Sequence, residues 1–155
     1  MTGQTIDGVR IVTTIEPDDC NPPPWENEDG HGPVSDWTTR SKRAGELVLN
    51  RDRGSFRYYD FAAAVALARR DGWGEEGRTA GERAAHAAQA DYDRLRRWCN
   101  DDWSYVGVIV TAYAEDGRKL DSSSLWGIES DAGDYLAEVA KELTEELLES
   151  VCVRA

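Results

Sequence analysis

Near the C-terminus, Glu138, Glu142, Glu145 and Glu149 recur at intervals of three or four residues. On a helix, at about 100° per residue, the four fall within one narrow sector. With a rise of about 1.5 Å per residue, successive carboxylates stand roughly 5 to 6 Å apart along the axis, close to the spacing of phosphates on a nucleic-acid strand. Glu146 flanks the row and only Lys141 opposes its sign. The chemistry open to such a ridge is electrostatic: it can offer a nucleic-acid-like face to a protein groove lined by Arg and Lys. The plainer reading is a solvated helix face. Solvated faces usually mix signs, however, because like charges at i,i+4 each cost a helix a few tenths of a kcal/mol.

A second acidic group, Asp18, Asp19, Glu26, Glu28 and Asp29, lies in the stretch from 17 to 36, which also holds all five prolines. These carboxylates could bind a hard cation through oxygen, extend a negative surface, or contact a partner. Their spacing matches no calcium-loop pattern, and no metal site is assigned to them. Pro22-Pro23-Pro24-Trp25 is stiff, so Trp25 is either held out as an anchor or folded back on the core.

Signatures of catalysis fail in turn: the chain has no G-x-S-x-G elbow, no phosphate-binding G-x-x-x-x-G-K-[ST] loop, no H-E-x-x-H and no G-x-G-x-x-G after a strand. His31 and His86 are the only histidines, and Cys20, Cys99 and Cys152 are too widely spaced for a C-x-x-C motif. Ser122-Ser123-Ser124 lacks a partner histidine at any predictable position and reads as strand edge. No enzyme, no catalytic residue and no cofactor is expected.

Charge is segregated along the chain. Residues 1 to 36 carry eight acids against one base, residues 37 to 100 thirteen bases against nine acids, and the remainder thirteen acids against four bases, for a net charge of −12. Such a balance repels nucleic acid and attracts basic surfaces. The basic, aromatic stretch around Trp37, Arg40, Lys42, Arg43, Arg51, Arg53, Phe56, Arg57, Tyr58 and Tyr59 resembles a nucleic-acid platform in composition but has no RNP-type motif. These arginines are expected to pair with the acidic blocks of this chain or of a second copy, which leaves a homo-oligomer open. The first residues lack the basic and apolar segments of a signal peptide, and no apolar run could span a bilayer, so the expected location is cytoplasmic, with no membrane partner.

The elements that must position these residues follow from periodicity. Alternation predicts a strand over 8 to 16, ended by Pro17, then an extended acidic loop to Asp36. Segments 46 to 50 and 55 to 59 read as a hairpin closed over Arg51-Asp52-Arg53-Gly54. Asp60 can cap a helix to Arg70, stopped by Gly72. Thr79 to Glu82 is a capping box opening a helix to about Trp98, with Ala85, Ala88, Tyr92, Leu95 and Cys99 as its buried stripe. Segments 103 to 113 and 119 to 129 form a second hairpin whose first strand, apolar on both faces, reads as central. Ser130 or Asp131 can cap a last helix from about 132 to 151, with Leu136, Val139, Ala140, Leu143, Leu147 and Val151 inward. The order implies one α+β domain over 1–155, with a mainly antiparallel sheet of about five strands and three helices packed on it.

Trp103-Ser104-Tyr105-Val106-Gly107-Val108, followed by Leu125-Trp126-Gly127-Ile128-Glu129-Ser130-Asp131, resembles a pattern in small acidic proteins of bacteriophages and mobile elements, over roughly residues 101 to 150. No activity attaches to that pattern, so no catalytic residue carries over; in it Trp126 and Ile128 are expected to share a strand face. The resemblance implies a genomic setting in which small acidic proteins occupy basic grooves of host nucleases or CRISPR complexes. Joined to the ridge, it gives the leading expectation: a non-enzymatic inhibitor of a bacterial defence system, anti-CRISPR or anti-restriction, acting in the host cytoplasm on a protein with a basic surface and not on nucleic acid directly. The alternatives are an accessory or regulatory protein-binding module without mimicry and a small metal-dependent enzyme using the loop carboxylates.

Overall fold

Two-residue turns set much of the strand pairing. In Asp7-Gly8 both residues take positive φ, 50° and 79°, the left-handed twist that closes an antiparallel hairpin without splaying it. They join β1 (Thr2–Ile6) to β2 (Val9–Pro17), with Ile6 opposite Val9. Arg53-Gly54 does the same for β3 (Glu46–Asp52) and β4 (Ser55–Asp60), where Asp52 faces Ser55. Strand β3 therefore runs on to Asp52, deeper into the turn than the sequence pattern indicates, while β4 begins at Ser55 as the pattern has it.

The computed structural model describes residues 2–74 and 79–154, the side chains of 153 and 154 excepted. The chain is α+β, and the described residues form a four-stranded and a two-stranded antiparallel sheet and four helices. The 155 residues, read above as one domain, group into two compact units: Met1–Asn21 with Trp103–Ala155, and Pro22–Asp102.

In the first unit the sheet order is β1-β2-β5-β6, with β5 spanning Tyr105–Tyr113 and β6 spanning Lys119–Glu129. The strand expected to be central is interior. A final helix, Asp134–Arg154 (called α4 below, after three helices of the second unit), packs on β5 and β6. Alternation places Ile11, Val106, Val108, Val110 and Ala112 on the face under this helix, where they meet Val139, Leu143 and Leu147. Helix α4 starts two residues later than expected because the Ser130 hydroxyl is engaged elsewhere: it accepts from the Ser104 amide at 2.9 Å, while the Ser130 amide donates to the Ser104 carbonyl.

Trp126 and Ile128, expected on one face, lie on opposite faces. The β5–β6 register shifts between Val106 and Val108, so that Ile128 pairs with Val106 and Leu125 with Val108. Gly127, at φ 74°, takes the left-handed conformation that this bulge requires. Ile128 thus enters the core under α4, while the Trp126 indole lies over Gly107, where a Cβ would collide with three of its ring atoms.

The second unit comprises α1 (Pro24–Asn27), β3, β4, α2 (Phe61–Asp71) and α3 (Ala80–Cys99). The Asp60 side chain caps α2 by accepting from the Ala63 amide, and Gly72 ends it at φ 71°. The Thr79 hydroxyl accepts from the Glu82 amide to open α3. The buried stripe of α3 is Ala84, Ala88, Tyr92 and Leu95, joined by partly buried Cys99; Ala85, expected inside, is exposed. Successive steps of four from Ala84 to Ala88 to Tyr92 keep the stripe in line, and Ala85 falls about 100° off it.

Candidate functional site: the acidic ridge of the last helix

Helix α4 has no choice about which side it buries. Val139, Leu143 and Leu147 must leave water, and they hold the opposite side outward. Glu138, Glu142, Glu145 and Glu149 are all exposed along that outer side, with Glu146 exposed beside them. From Glu138 to Glu149 the ridge runs about 16 Å at helical rise. Among the described residues none of these five carboxylates makes an ion pair.

Partition of charge between the units sharpens the picture. The first unit has fifteen acids against five bases, a net of −10; the second has fifteen acids against thirteen bases, a net of −2. Nearly all of the chain's excess negative charge therefore belongs to the unit that carries the ridge.

The acidic loop is divided between the two units. Asp18 and Asp19 belong to the first unit, and Glu26, Glu28 and Asp29 to the second. Asp18 is half-buried and occupied: its carboxylate accepts from the Gly127 amide at 2.9 Å, from the Cys20 amide at 3.3 Å and from the Asn21 side-chain amide. Its role is to hold the Gly127 bulge, so it leaves the partner-binding set on physical grounds. Asp19, Glu26, Glu28 and Asp29 are exposed. Glu28 lies 3.4 Å from His31 Nε2.

The same loop carries short-range order that its proline content conceals. Pro24 is buried at the start of α1, and the Trp25 ring meets Trp98 edge to face at 5.4 Å, so the tryptophan is folded back. The Arg57 guanidinium sits 5.0 Å from the Trp25 centroid and 4.4 Å from that of Trp37, between two indoles. His31 Nδ1 and Asp91 Oδ1 are 2.6 Å apart, and Asp91 Oδ2 accepts from the Gly32 amide at 2.8 Å and from the Tyr59 hydroxyl at 2.7 Å. The hydrogen bond to Asp91 raises the His31 imidazole above its usual pKa, and burial opposes it.

The basic stretch is built into its own unit at Arg40 and Arg57, while Lys42, Arg43, Arg51 and Arg53 are exposed. Arg40 makes a two-pronged pair with Glu46, at 2.8 and 2.7 Å, and lies over the Tyr58 ring. Its partner is an acid of the basic block, not of an acidic block as expected. Tyr58 and Tyr59 are buried, which removes both rings from any stacking platform; Trp37 remains exposed.

Two concavities flank these features. In the first unit a groove of about 620 Å³ lies between α4 and strands β1 and β2, with Ile6, Thr13, Ile15, Leu136, Ala140 and Leu148 among its lining and Lys141 and Glu145 beside them. In the second, a cavity of about 510 Å³ opens between the β3–β4 hairpin and the end of α3. Sequence reasoning missed both because each is lined by residues far apart in the chain. No family model, curated protein or solved structure matches this chain.

Proposed function

We propose that this protein is a non-enzymatic inhibitor of a bacterial defence system, of bacteriophage or mobile-element origin, that works in the host cytoplasm by presenting the α4 ridge to a basic nucleic-acid-binding site. The observation that carries this reading is the row of four exposed glutamates, without an ion pair among the described residues, on one side of a helix whose other side is locked into the core. A row of fixed negative charges about one helical turn apart offers a guanidinium- and ammonium-lined groove the spacing it uses for phosphates. The net charge of −10 on the same unit adds long-range attraction to such a groove and repulsion from nucleic acid itself. Among the described residues no helix is long and apolar enough to cross a membrane.

The test is competition. Purified protein is added to host nucleases and CRISPR surveillance complexes, and displacement of labelled DNA or RNA is followed as a function of salt. Displacement should weaken as ionic strength rises and vanish when Glu138, Glu142, Glu145 and Glu149 all become Gln. If the quadruple variant displaces nucleic acid as well as the wild type, the ridge is not the inhibitory surface.

A specific observation favours a second reading, a protein-binding module without mimicry. Ile15, Leu125, Trp126 and Tyr135 of the first unit are large apolar side chains, each 42 to 52% exposed. Binding that survives high salt and is lost with Trp126→Ala and Tyr135→Ala would select it.

A further inference from the structure

We infer that the groove beside α4 in the first unit takes a basic amphipathic helix of a partner protein, its apolar side lying on β1 and β2. The inference rests on the proposed use of this acidic unit as a docking surface for a basic protein, and it names the element of the partner that docks.

The first observation is an uncovered strip of helical width. Helix α4 lies over β5 and β6, at one side of the sheet order β1-β2-β5-β6. The place over β1 and β2 is two strand spacings away, about 9 to 10 Å, and helices packed side by side keep their axes about 8 to 10 Å apart. One face of this sheet therefore has room for two helices, and among the described residues of the first unit α4 is the only helix. In the β1–β2 register Gln4 faces Ile11 and Thr2 faces Thr13, so alternation turns Thr2, Gln4, Ile6, Thr13 and Ile15 to the face that α4 packs on. These five line the groove; none is buried, and Ile15 is 52% exposed.

The second is the wall that α4 presents. Leu136, Ala140, Thr144 and Leu148 recur every four residues and line the groove as one row. Rows at that spacing are what a second helix packs its own ridges against. Thr144 brings no unmet polar need, because its hydroxyl donates to the Ala140 carbonyl at 2.7 Å. From Leu136 to Leu148 the row is about 18 Å long at helical rise, enough for about three turns of a docked helix.

The third is charge. Of the five bases of this unit only Lys141 lines the groove, and Glu145 beside it belongs to the ridge. At about 100° per residue, Asp134 and Glu138 lie within about 20° of Glu145, so three exposed carboxylates share one line along the outer edge of the wall. A docked helix with Lys and Arg on its outer flank meets that line. An acidic helix, α4 of a second copy included, would bring like charges together on a unit already at −10.

The experiment is fluorescence anisotropy of the full chain with a labelled, end-blocked peptide of about 18 residues, long enough to hold a helix. It carries Leu at i, i+3, i+4 and i+7 positions and Lys or Arg on the flanks. It should gain helicity on binding, and bind at least about tenfold more tightly than three counterparts: one with Glu for Lys and Arg, one with the same residues scrambled, and one with a central proline. Ala137 lines the groove at an exposed position, and Arg is a good helix former, so Ala137→Arg should weaken binding about tenfold with the fold intact by circular dichroism. Thr5→Arg adds the same charge on the other face of β1 and should change affinity less than about twofold. Ile15→Gln should weaken binding about threefold or more. The inference is overturned if the Glu or scrambled peptide binds as well, or if Ala137→Arg and Ile15→Gln change nothing. It is overturned equally if the groove takes laurate but no peptide, or if sedimentation shows a dimer that Ala137→Arg dissociates and no peptide binds. Displacement of nucleic acid from a host complex is a separate readout: displacement without peptide binding removes the docked helix and leaves the inhibitor standing, and peptide binding without displacement does the reverse.

Discussion

His31 and Asp91, sixty residues apart in sequence, meet through Nδ1 and Oδ1 at 2.6 Å, and the pair fastens the proline-rich loop to helix α3. The other Asp91 oxygen takes the Gly32 amide and the Tyr59 hydroxyl, so one carboxylate serves three donors. Gly32 allows the close approach: a Cβ there would fall 2.5 Å from the Tyr59 hydroxyl and 2.6 Å from the Ala64 Cβ. Burial, with the Asp91 hydrogen bond second, pushes the Tyr59 phenol well above its usual range, so it remains a donor.

The pH dependence of the second unit follows from this pair. The Asp91 hydrogen bond raises the folded-state pKa of His31 above its unfolded value near 6.5, so the stabilisation is fully present below that value and is lost as pH rises through the folded pKa. Urea unfolding followed between pH 5.5 and 8.5 should show stability falling across this window. His31→Ala should flatten the slope, and Asp91→Ala should cost about 3 kcal/mol by stranding its donors. A slope unchanged in His31→Ala would show that the pair does not control it.

Glu46 makes the opposite prediction. The Arg40 pair, helped by the Arg43 amide at 2.7 Å, holds its carboxyl down at about 2. Its stabilisation is present above the unfolded carboxylate range and is lost as pH falls toward 2. Glu46→Gln should therefore lower the melting temperature at pH 7 and reduce the fall in melting temperature between pH 5 and 2. Arg40→Lys should not restore the wild-type value, because an ammonium cannot make the two-pronged contact.

How far the sequence carries depends on whether a feature is local. The hairpin of β5 and β6, the inward stripe of α4 and the caps at Asp60 and Thr79 follow from periodicity and short-range hydrogen bonding, and each appears close to where the pattern places it. Strand β1 was within reach, since Asp7-Gly8 is a strong two-residue turn signal, but Thr2 to Ile6 has too few apolar residues to suggest a strand by alternation. The Asp91 network, the Arg57 sandwich and the Asp18 contact with Gly127 span 20 to 109 residues of chain, and no local pattern encodes such pairings. Of the site residues, the α4 glutamates are legible because a helix fixes its own angular spacing. Asp18 is not, because only the fold brings Gly127 to it.

Gly107 and Trp126 offer a test of the sheet's exposed face. With no Cβ at Gly107 the indole can lie flat on the strand, and any side chain there would displace it. Gly107→Ala should destabilise the first unit by about 1 to 3 kcal/mol, the usual cost of overpacking. Trp126→Ala in that background should recover most of the loss, since the collision partner is gone. Additive effects in the double variant would show that the two positions are not in contact.

The ridge has a stability consequence separate from any partner. Glu138 with Glu142 and Glu145 with Glu149 are like charges at i,i+4, each pair costing a few tenths of a kcal/mol at low salt. A helix bearing only structural demands would gain by losing them, and the quadruple Gln variant should be more stable than the wild type by about 0.5 to 1 kcal/mol in dilute buffer. Added sodium chloride should close the gap by screening the repulsion, so the two proteins should converge near about 1 M salt. Chemical unfolding of both across that range measures it. If the variant is instead less stable at every salt concentration, the glutamates are part of what holds α4 in place, and their row cannot be read as a surface kept at the expense of stability.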